Sequence, residues 1–228
     1  MNIVMIRKAM NDLRWTASWY ALGLSLYGLI MAGFYPSMGK GEAYQQILKV
    51  WPKALLHAFG IADFGTFAGF MGGEFLNLIW PLIAAAFLIT AGTAVVAQEV
   101  ERGTIELWLS IPLPRWELLS SKLIALLGGI GILIFGTVMA MAVGARLVNE
   151  SITVGGLTAL ALELLGFSMA VAGYSALFSA LSSSRGKAAG VASGLTVASY
   201  LAFVVSGLSD RWNWLEHLST FAAYQPQL

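Results

Sequence analysis

The sequence predicts an all-α integral membrane protein, and three observations lead to that class. Hydrophobic residues make up 58% of the 228 residues and charged residues only 11%, whereas a typical soluble domain is about 25% charged. The apolar residues fall in runs of about 20, the length that crosses a bilayer as a helix. These runs are about twice as long as barrel strands and are rich in Leu, Ala and Gly, which disfavours a β-barrel.

Five apolar runs qualify as membrane spans, and the chain has room for a single transmembrane domain over residues 1–228. The first run is too long for the apolar core of a cleaved signal peptide, so we expect it to be retained as a span. Only the fourth run contains a charged residue, Glu163. The predicted spans are 15–35, 75–97, 123–145, 157–181 and 188–208.

The distribution of Lys and Arg predicts the orientation, because cytoplasmic loops carry an excess of these residues. Five basic residues lie on the side of the loops that follow the first and third spans, and three of them belong to the long loop 36–74. The N-terminus is therefore predicted to be cytoplasmic, in a multi-pass protein of the plasma membrane. The other eight basic residues fall on the N-terminal side: Arg7, Lys8, Arg14, Arg102, Arg115, Lys122, Arg185 and Lys187.

The external loop 36–74 is long for a connection between spans and contains an amphipathic segment. Its apolar residues recur at helical spacing, which predicts two short helices in the outer headgroup region. A lid over a substrate path is the alternative, and the sequence does not separate the two. The apolar positions are Ile47, Val50, Trp51, Ala54, Leu55, Ala58 and Phe59.

The predicted cytoplasmic loop 98–122 holds four of the 12 acidic residues of the chain. Thr104 is a suitable helix cap, and Ile105, Trp108 and Leu109 follow at helical spacing. Pro112 and Pro114 then end the pattern. We expect a short helix parallel to the membrane. It is either an interfacial helix with Trp108 among the headgroups, or a docking helix whose aromatic anchor is ringed by charges.

This loop resembles the cytoplasmic signature of ABC type-2 permeases, the membrane subunits of ATP-binding-cassette exporters. Those proteins carry an acidic pair, Gly-Thr-Leu-Glu, a hydrophobic turn, a Pro, an Arg and a Lys that opens the next span. Pro114 departs from the family, which commonly has a small polar residue before the Arg. The matching residues, in order, are Glu99, Glu101, Gly103, Thr104, Ile105, Glu106, Leu107, Trp108, Leu109, Ser110, Pro112, Arg115 and Lys122.

The resemblance implies a bundle of six spans, of which this chain supplies five, so we expect a sixth span beyond residue 228. It also implies that the loop is a coupling helix, which rests in a groove of a separate ABC ATPase subunit. ATP and magnesium would bind on that ATPase, and a second permease subunit would complete the translocation path. The residues that would dock are Glu99, Glu101, Gly103, Thr104, Ile105, Glu106, Trp108, Leu109 and Arg115. Local pairs Glu101–Arg102 and Glu117–Lys122 are the alternative role for the charges.

Composition and motifs exclude several other classes. With no cysteine and two histidines, we expect no metal site and no disulfide. Gly39-Lys40 and Gly186-Lys187 lack the other residues of a P-loop, so the chain is not expected to hydrolyse ATP itself. The spans contain one Glu and no His, which argues against an intramembrane protease. The net charge of +1 implies no nucleic-acid partner.

Small residues recur at every fourth position of the fifth span, at Gly186, Gly190, Gly194 and Ala198. Such rows let helix backbones approach closely in lipid. We interpret the row as packing within the chain's own bundle, with a dimer interface or a substrate slot as the alternative. Glu163 is a candidate for a substrate path, because acids inside spans are costly. It lies near the predicted outer end, however, and its carboxylate alternatively reaches the headgroups.

The function that these features favour is a permease subunit of an ATP-driven ABC exporter, as a homodimer or a heterodimer. The alternative is a stand-alone transporter, channel or membrane scaffold that needs no ATPase. Ion-coupled transport usually requires several polar groups inside the membrane, and they are scarce in these spans. The generically apolar spans do not select a substrate.

Overall fold

The computed structural model describes residues 3–38, 66–104, 114–208 and 210–224, and these are almost entirely helical, with no strand among them. Four helices are long and apolar enough to cross a membrane, and a bent pair of shorter helices supplies a fifth crossing when it is counted as one span. The predicted class, an all-α integral membrane protein, is therefore confirmed. Residues 39–65, most of the loop 36–74 that was predicted to be external, lie outside the described residues.

Within the described residues, seven α-helices, one π-helical turn and one 3₁₀ helix follow one another. Four of the predicted spans each overlap a single α-helix, and the second, 75–97, covers parts of several elements. The α-helices are α1 (Ile3–Met38), α2 (Phe67–Met71), α3 (Ile79–Thr93), α4 (Ala97–Glu101), α5 (Arg115–Leu147), α6 (Val154–Leu181) and α7 (Arg185–Ser206); a π-helical turn covers Gly72–Leu76 and a 3₁₀ helix covers Asp210–Leu218.

The second span was predicted at 75–97 with a kink at Pro81 near the outer leaflet, and the structure differs from this prediction in two ways. It begins earlier, at Phe67, and its segments Phe67–Leu76 and Ile79–Thr93 meet at 42°. The amide of Asn77 donates to Gly72 O at 2.9 Å, which is the i to i+5 bond of the π turn. Pro81 has no N–H to donate to the Asn77 carbonyl, so the regular ladder cannot run through this point. The sequence thus predicted the proline kink, and the structure places the bend four residues before the proline.

Helices α1 and α5 are longer than the bilayer requires. They contain 36 and 33 residues, which correspond to about 54 and about 50 Å at 1.5 Å per residue, against about 30 Å of hydrocarbon. Each helix therefore has charged turns that lie beyond its apolar part. In α1 these turns include Arg7, Lys8 and Asp12, and in α5 they include Glu117 and Lys122.

The chain divides into two compact units, each built from parts of several helices. The first unit comprises Met1–Tyr20, Ala84–Leu133 and Ser168–Thr196. Its helices approach closely at glycines: a Cβ added to Gly129 of α5 would lie 3.0 Å from Phe87 Cζ and 3.1 Å from Leu13 Cδ2. The small residue therefore lets α5 pack against both α1 and α3.

The second unit comprises Ala21–Ile83, Ile134–Phe167 and Val197–Leu228. Its core is aromatic, with Tyr35 placed 5.3 Å from Phe67 and 5.6 Å from Phe70 between ring centroids. Trp80 is fully buried and donates from Nε1 to Thr137 Oγ1 at 2.8 Å. Buried indole groups need such a partner, and the bond connects α3 with α5 in this unit.

Candidate functional site

The predicted docking residues fall only partly within the described residues. Ile105, Glu106, Trp108 and Leu109 lie outside them, and so does the short helix that we predicted there. Arg115 is the first residue of α5, and its side chain is not described. The placed members of the set are Glu99, Glu101, Gly103 and Thr104, all on the entry side of the loop.

The N-terminal part of the loop 98–122 is a single helical turn with a defined end. Helix α4 ends at Glu101, and the amide of Gly103 donates back to Val100 O at 3.1 Å. Gly103 has a φ of +69°, the left-handed conformation in which glycine commonly ends a helix. Thr104, another of the predicted docking residues, also lies in this turn, and the Thr104 hydroxyl hydrogen-bonds the carboxylate of Glu99. The left-handed conformation therefore favours glycine at Gly103, independently of any partner that the loop contacts.

Glu99 connects the two flanks of the loop. Its Oε1 accepts from Lys122 Nζ at 2.8 Å, and both side chains are 19% exposed. Lys122 belongs to α5, so this pair joins the two ends of the loop 98–122. Because both groups are largely shielded from water, the pair is screened less by salt than a surface pair. Lys122 thus forms an ion pair with an acid 23 residues earlier in the sequence. The local pair Glu117–Lys122 stays a prediction.

Glu101 connects the same turn to the start of α7. Its Oε2 accepts from the backbone amide of Arg185 at 3.0 Å, at the first residue of that helix. The first amides of a helix lack intrahelical partners, so a carboxylate there acts as a cap and interacts favourably with the helix dipole. The Arg185 guanidinium in turn donates to Thr90 O at 3.0 Å. Arg185 therefore donates two hydrogen bonds, one from its backbone and one from its side chain, which tie the start of α7 to Glu101 and to Thr90.

Ser179 of α6 holds the interruption between α3 and α4. Its Oγ accepts from the amides of Val96 and Ala97 at 3.0 and 2.8 Å and donates to Thr93 O at 2.8 Å. Residues 94–96 form a turn, so these backbone groups have lost their helical partners. One buried hydroxyl satisfies three of them.

Gly92 brings α3 and α6 together just before this turn. An added Cβ would lie 2.7 Å from Ser175 Cβ and 3.3 Å from Ala172 O. No side chain fits at that distance without a shift of the backbone of α6. The hydroxyl of Ser179 can therefore reach the turn because Gly92 permits the close approach.

Glu163 lies in the second unit, where it is half-buried and its Oε2 is shielded from solvent. Tyr224, in the segment after α7, is buried, and burial raises its pKa well above the usual value. The negative charge of the nearby Glu163 raises that pKa further. Tyr224 therefore keeps its proton, and its hydroxyl donates to Leu76 O at 2.7 Å. The role of Glu163 in a substrate path stays a prediction.

The predicted packing row of α7 faces away from the packed side of that helix. A Cβ added to Gly186, Gly190 or Gly194 would meet nothing within 4 Å, and Ala198 is exposed. The buried positions of α7 are instead Ala188, Ala192, Thr196, Ser199 and Ser206. Within the described part of the chain, the row does not pack against another helix.

Sequence reasoning missed Ser179, Gly92 and Tyr224. A serine or glycine in an apolar helix carries no signal of its partner, because the pattern is the same whether the residue faces lipid or another helix. Glu101 was predicted as a docking residue, but no local pattern identifies its partner, the amide of Arg185, which is 84 residues away. In the described residues no cluster of three His, Asp or Glu side chains is placed to hold a metal ion.

Comparison with protein families identifies the chain. The family model described as ABC-2 family transporter protein matches residues 7–223 of this chain, which is nearly the whole chain. A comparison with curated proteins found no match, and a comparison with solved structures found none either. Together with its five apolar crossings, the match makes this chain a multi-pass membrane component of a transporter. The chain belongs to the ABC-2 transporter family.

Proposed function

We propose that the chain is the permease subunit of an ATP-driven exporter, which works with a separate ABC ATPase and a second permease subunit. The observation that carries the proposal is the family match over residues 7–223. The polar ties around residues 93–104 support it, because they connect both flanks of the loop 98–122 to other helices. ATP and magnesium bind on the ATPase in this arrangement, and the permease supplies the path.

The mechanism uses the loop as a lever. When two ATPase subunits close on ATP, the segment 105–113 is displaced, and α4 moves with it. Glu99 passes the movement to α5 through Lys122, and Glu101 passes it to α7 through the amide of Arg185. Ser179 passes it to α6, because its hydroxyl bonds both sides of the turn 94–96.

The ATPase partner is tested by purification of the tagged chain from its native membranes. We expect a polypeptide with a P-loop to co-purify, and Trp108→Ala to reduce its recovery by at least ten-fold, since an aromatic anchor at an interface contributes about 2 kcal/mol or more. Trp214→Ala is the matched control, because Trp214 is 56% exposed and lies in the 3₁₀ helix after α7, outside the loop 98–122. Recovery of a P-loop protein that ignores both substitutions removes the docking role. Absence of any such protein favours a stand-alone transporter or scaffold.

Coupling is tested separately by the ATPase rate of the reconstituted complex. We expect Glu101→Gln to lower the ATPase rate that depends on the permease by several-fold while co-purification is retained, because the amide still fills the space but caps α7 weakly. Glu216→Gln, in the 3₁₀ helix after α7, is the control. An unchanged rate in Glu101→Gln and in Arg115→Gln contradicts the coupling assignment.

The orientation is tested by cysteine labelling, since the chain has no cysteine of its own. A cysteine placed at Ser110 is expected to resist an impermeant maleimide added to intact cells and to react in inverted vesicles. Labelling from outside would show that the topology is reversed, and the loop would then face away from a cytoplasmic ATPase, which contradicts the docking role.

A further inference from the structure

The first unit contains a cavity of about 260 Å³, to which the proposed coupling mechanism assigns no ligand. Pockets for drug-sized ligands measure about 300–1,000 Å³, so this cavity suits a small group better than a whole lipophilic substrate. One part of its wall is apolar, with Leu13, Phe87 and Leu126. The other part is charged, with Asp12, Glu99, Lys122 and Arg185.

Two tryptophans place the cavity at the depth of the lipid headgroups. Trp15 and Trp19 are 64% and 67% exposed on α1, within two turns of Asp12 and Thr16 on the cavity wall. Exposed Trp residues near the end of a span concentrate at the membrane interface. The guanidinium of Arg14 lies 5.5 Å from the Trp15 ring centroid, as expected where a cation meets the aromatic belt. The charged lining residues lie just outside the predicted spans and therefore at the interface, whereas Phe87 and Leu126 of the lining lie within the predicted spans.

The charges of the wall sum to zero, but they are not all paired with each other. Glu99 and Lys122 form their own ion pair at 2.8 Å. The Arg185 guanidinium uses one amino group on Thr90 O at 3.0 Å, and a guanidinium has further donors to offer. Asp12 is exposed, and no described residue forms a salt bridge with it. A ligand at this site thus meets one carboxylate and one guanidinium.

We propose that this cavity binds the headgroup of a zwitterionic phospholipid from the adjacent leaflet. The ammonium group lies against Asp12 and the phosphate accepts from Arg185, while the acyl chains follow the apolar wall at Leu13 and Phe87. A lipid is favoured over a soluble zwitterion because the site combines headgroup depth with a continuous apolar wall. An anionic lipid would leave Asp12 facing its negative charge.

The lipid would act as a further connection within the first unit. Its headgroup would bridge α1, which supplies Asp12, and α7, which supplies Arg185. Arg185 is also the residue whose amide is capped by Glu101. The lipid therefore contacts the start of α7 independently of any ATPase. The lipid proposal can consequently fail while the proposed function stands.

The test is native mass spectrometry of the full purified chain in a maltoside detergent, with dioleoylphosphatidylethanolamine or dioleoylphosphatidylglycerol added. We expect the first lipid to bind about five-fold more tightly, the size of one charge contact near a membrane surface. Asp12→Asn is expected to bring the two lipids close to parity. Glu150→Gln, an acid of the second unit that does not line the cavity, is the control and is expected to keep the preference.

Ala91→Leu gives an independent variant, because Ala91 lines the cavity and a leucine there fills it. We expect the preference to be lost while the circular dichroism of the chain is unchanged. Equal binding of the two lipids by the unsubstituted chain overturns the proposal. So does a preference that survives both Asp12→Asn and Ala91→Leu. If soluble phosphoethanolamine binds as tightly as the lipid, the ligand is a small zwitterion and the lipid proposal is wrong.

Discussion

The second span is interrupted twice, and the two interruptions are stabilised by different chemistry. At 77–78, where the segments meet at 42°, aromatic rings surround the break. Trp80 lies 5.9 Å from Tyr224, and Phe167 lies 5.0 Å from the same ring. At 94–96, the break is held by the hydroxyl of Ser179 and flanked by the charges of Glu99 and Glu101.

The difference indicates what each interruption can tolerate. The stabilisation from burying apolar rings does not depend on direction, so aromatic side chains can slide while burial is preserved. Hydrogen bonds weaken steeply as their angles depart from linearity, so the Ser179 bonds hold the turn in one geometry. The turn beside the loop 98–122 is therefore suited to pass a displacement on, in line with the proposed function. The bend at 77–78 is suited to absorb one.

The largest effect is expected where the polar interruption depends on backbone contact. Gly92→Ala places a Cβ 2.7 Å from Ser175 Cβ, and the helices must separate. Overpacking of this kind costs about 2–3 kcal/mol of unfolding free energy, measured by SDS titration with far-UV circular dichroism. Gly194→Ala is the matched control, because its Cβ meets nothing within 4 Å; we expect it to be neutral or to stabilise by about 0.5 kcal/mol through helix propensity. A destabilisation equal in both variants would mean that α3 and α6 are not in close contact at Gly92.

The next effect tests the hydroxyl itself. Ser179→Ala leaves two amides and the Thr93 carbonyl without their partner, and orphaned buried groups cost about 1–3 kcal/mol. We expect a loss of about 2 kcal/mol by the same titration. Ser175→Ala, one turn earlier in α6, is the control, because Ser175 donates only to Val171 O of its own helix. If the two alanines behave alike, the polar interruption is held by packing rather than by direction.

The sequence was sufficient to predict the spans but not their partners. Runs of apolar residues locate the spans because lipid excludes charge along the whole of each helix, and Pro81 locates the bend because it removes one donor. The contacts of Ser179 and Tyr224 join residues far apart in sequence, and no local pattern encodes them. The glycine row of α7 shows the limit most clearly. Small residues permit close packing, but they do not determine that a helix of the same chain occupies the site.

A smaller effect is expected at the aromatic interruption. Tyr224→Phe removes the hydroxyl that donates to Leu76 O at 2.7 Å but keeps the ring on Trp80 and Phe167. We expect a loss of about 1 kcal/mol, the net value of one hydrogen bond. Tyr200→Phe keeps the ring contact of Tyr200 with Phe221 and is expected to be neutral. A loss of about 3 kcal/mol in Tyr224→Phe would show that this break also depends on direction, and the contrast between the two interruptions would be lost.

The smallest effect separates charge from hydrogen bonding at the polar interruption. A double-mutant cycle of Glu99→Gln and Lys122→Gln measures the coupling within the pair that spans the loop. We expect about 0.5 kcal/mol in low salt and nearly the same value in about 0.5 M salt, because the cost of shielding both groups from water offsets most of their attraction and salt screens a shielded pair only weakly. Glu216→Gln with Lys122→Gln is the control cycle and is expected to show no coupling. A coupling above about 2 kcal/mol would place the stiffness of this region in its ion pair. A small value would assign the stiffness of this region to the neutral hydrogen bonds of Ser179. Salt does not screen these bonds, so the flank of the loop would keep its geometry as the ionic strength changes.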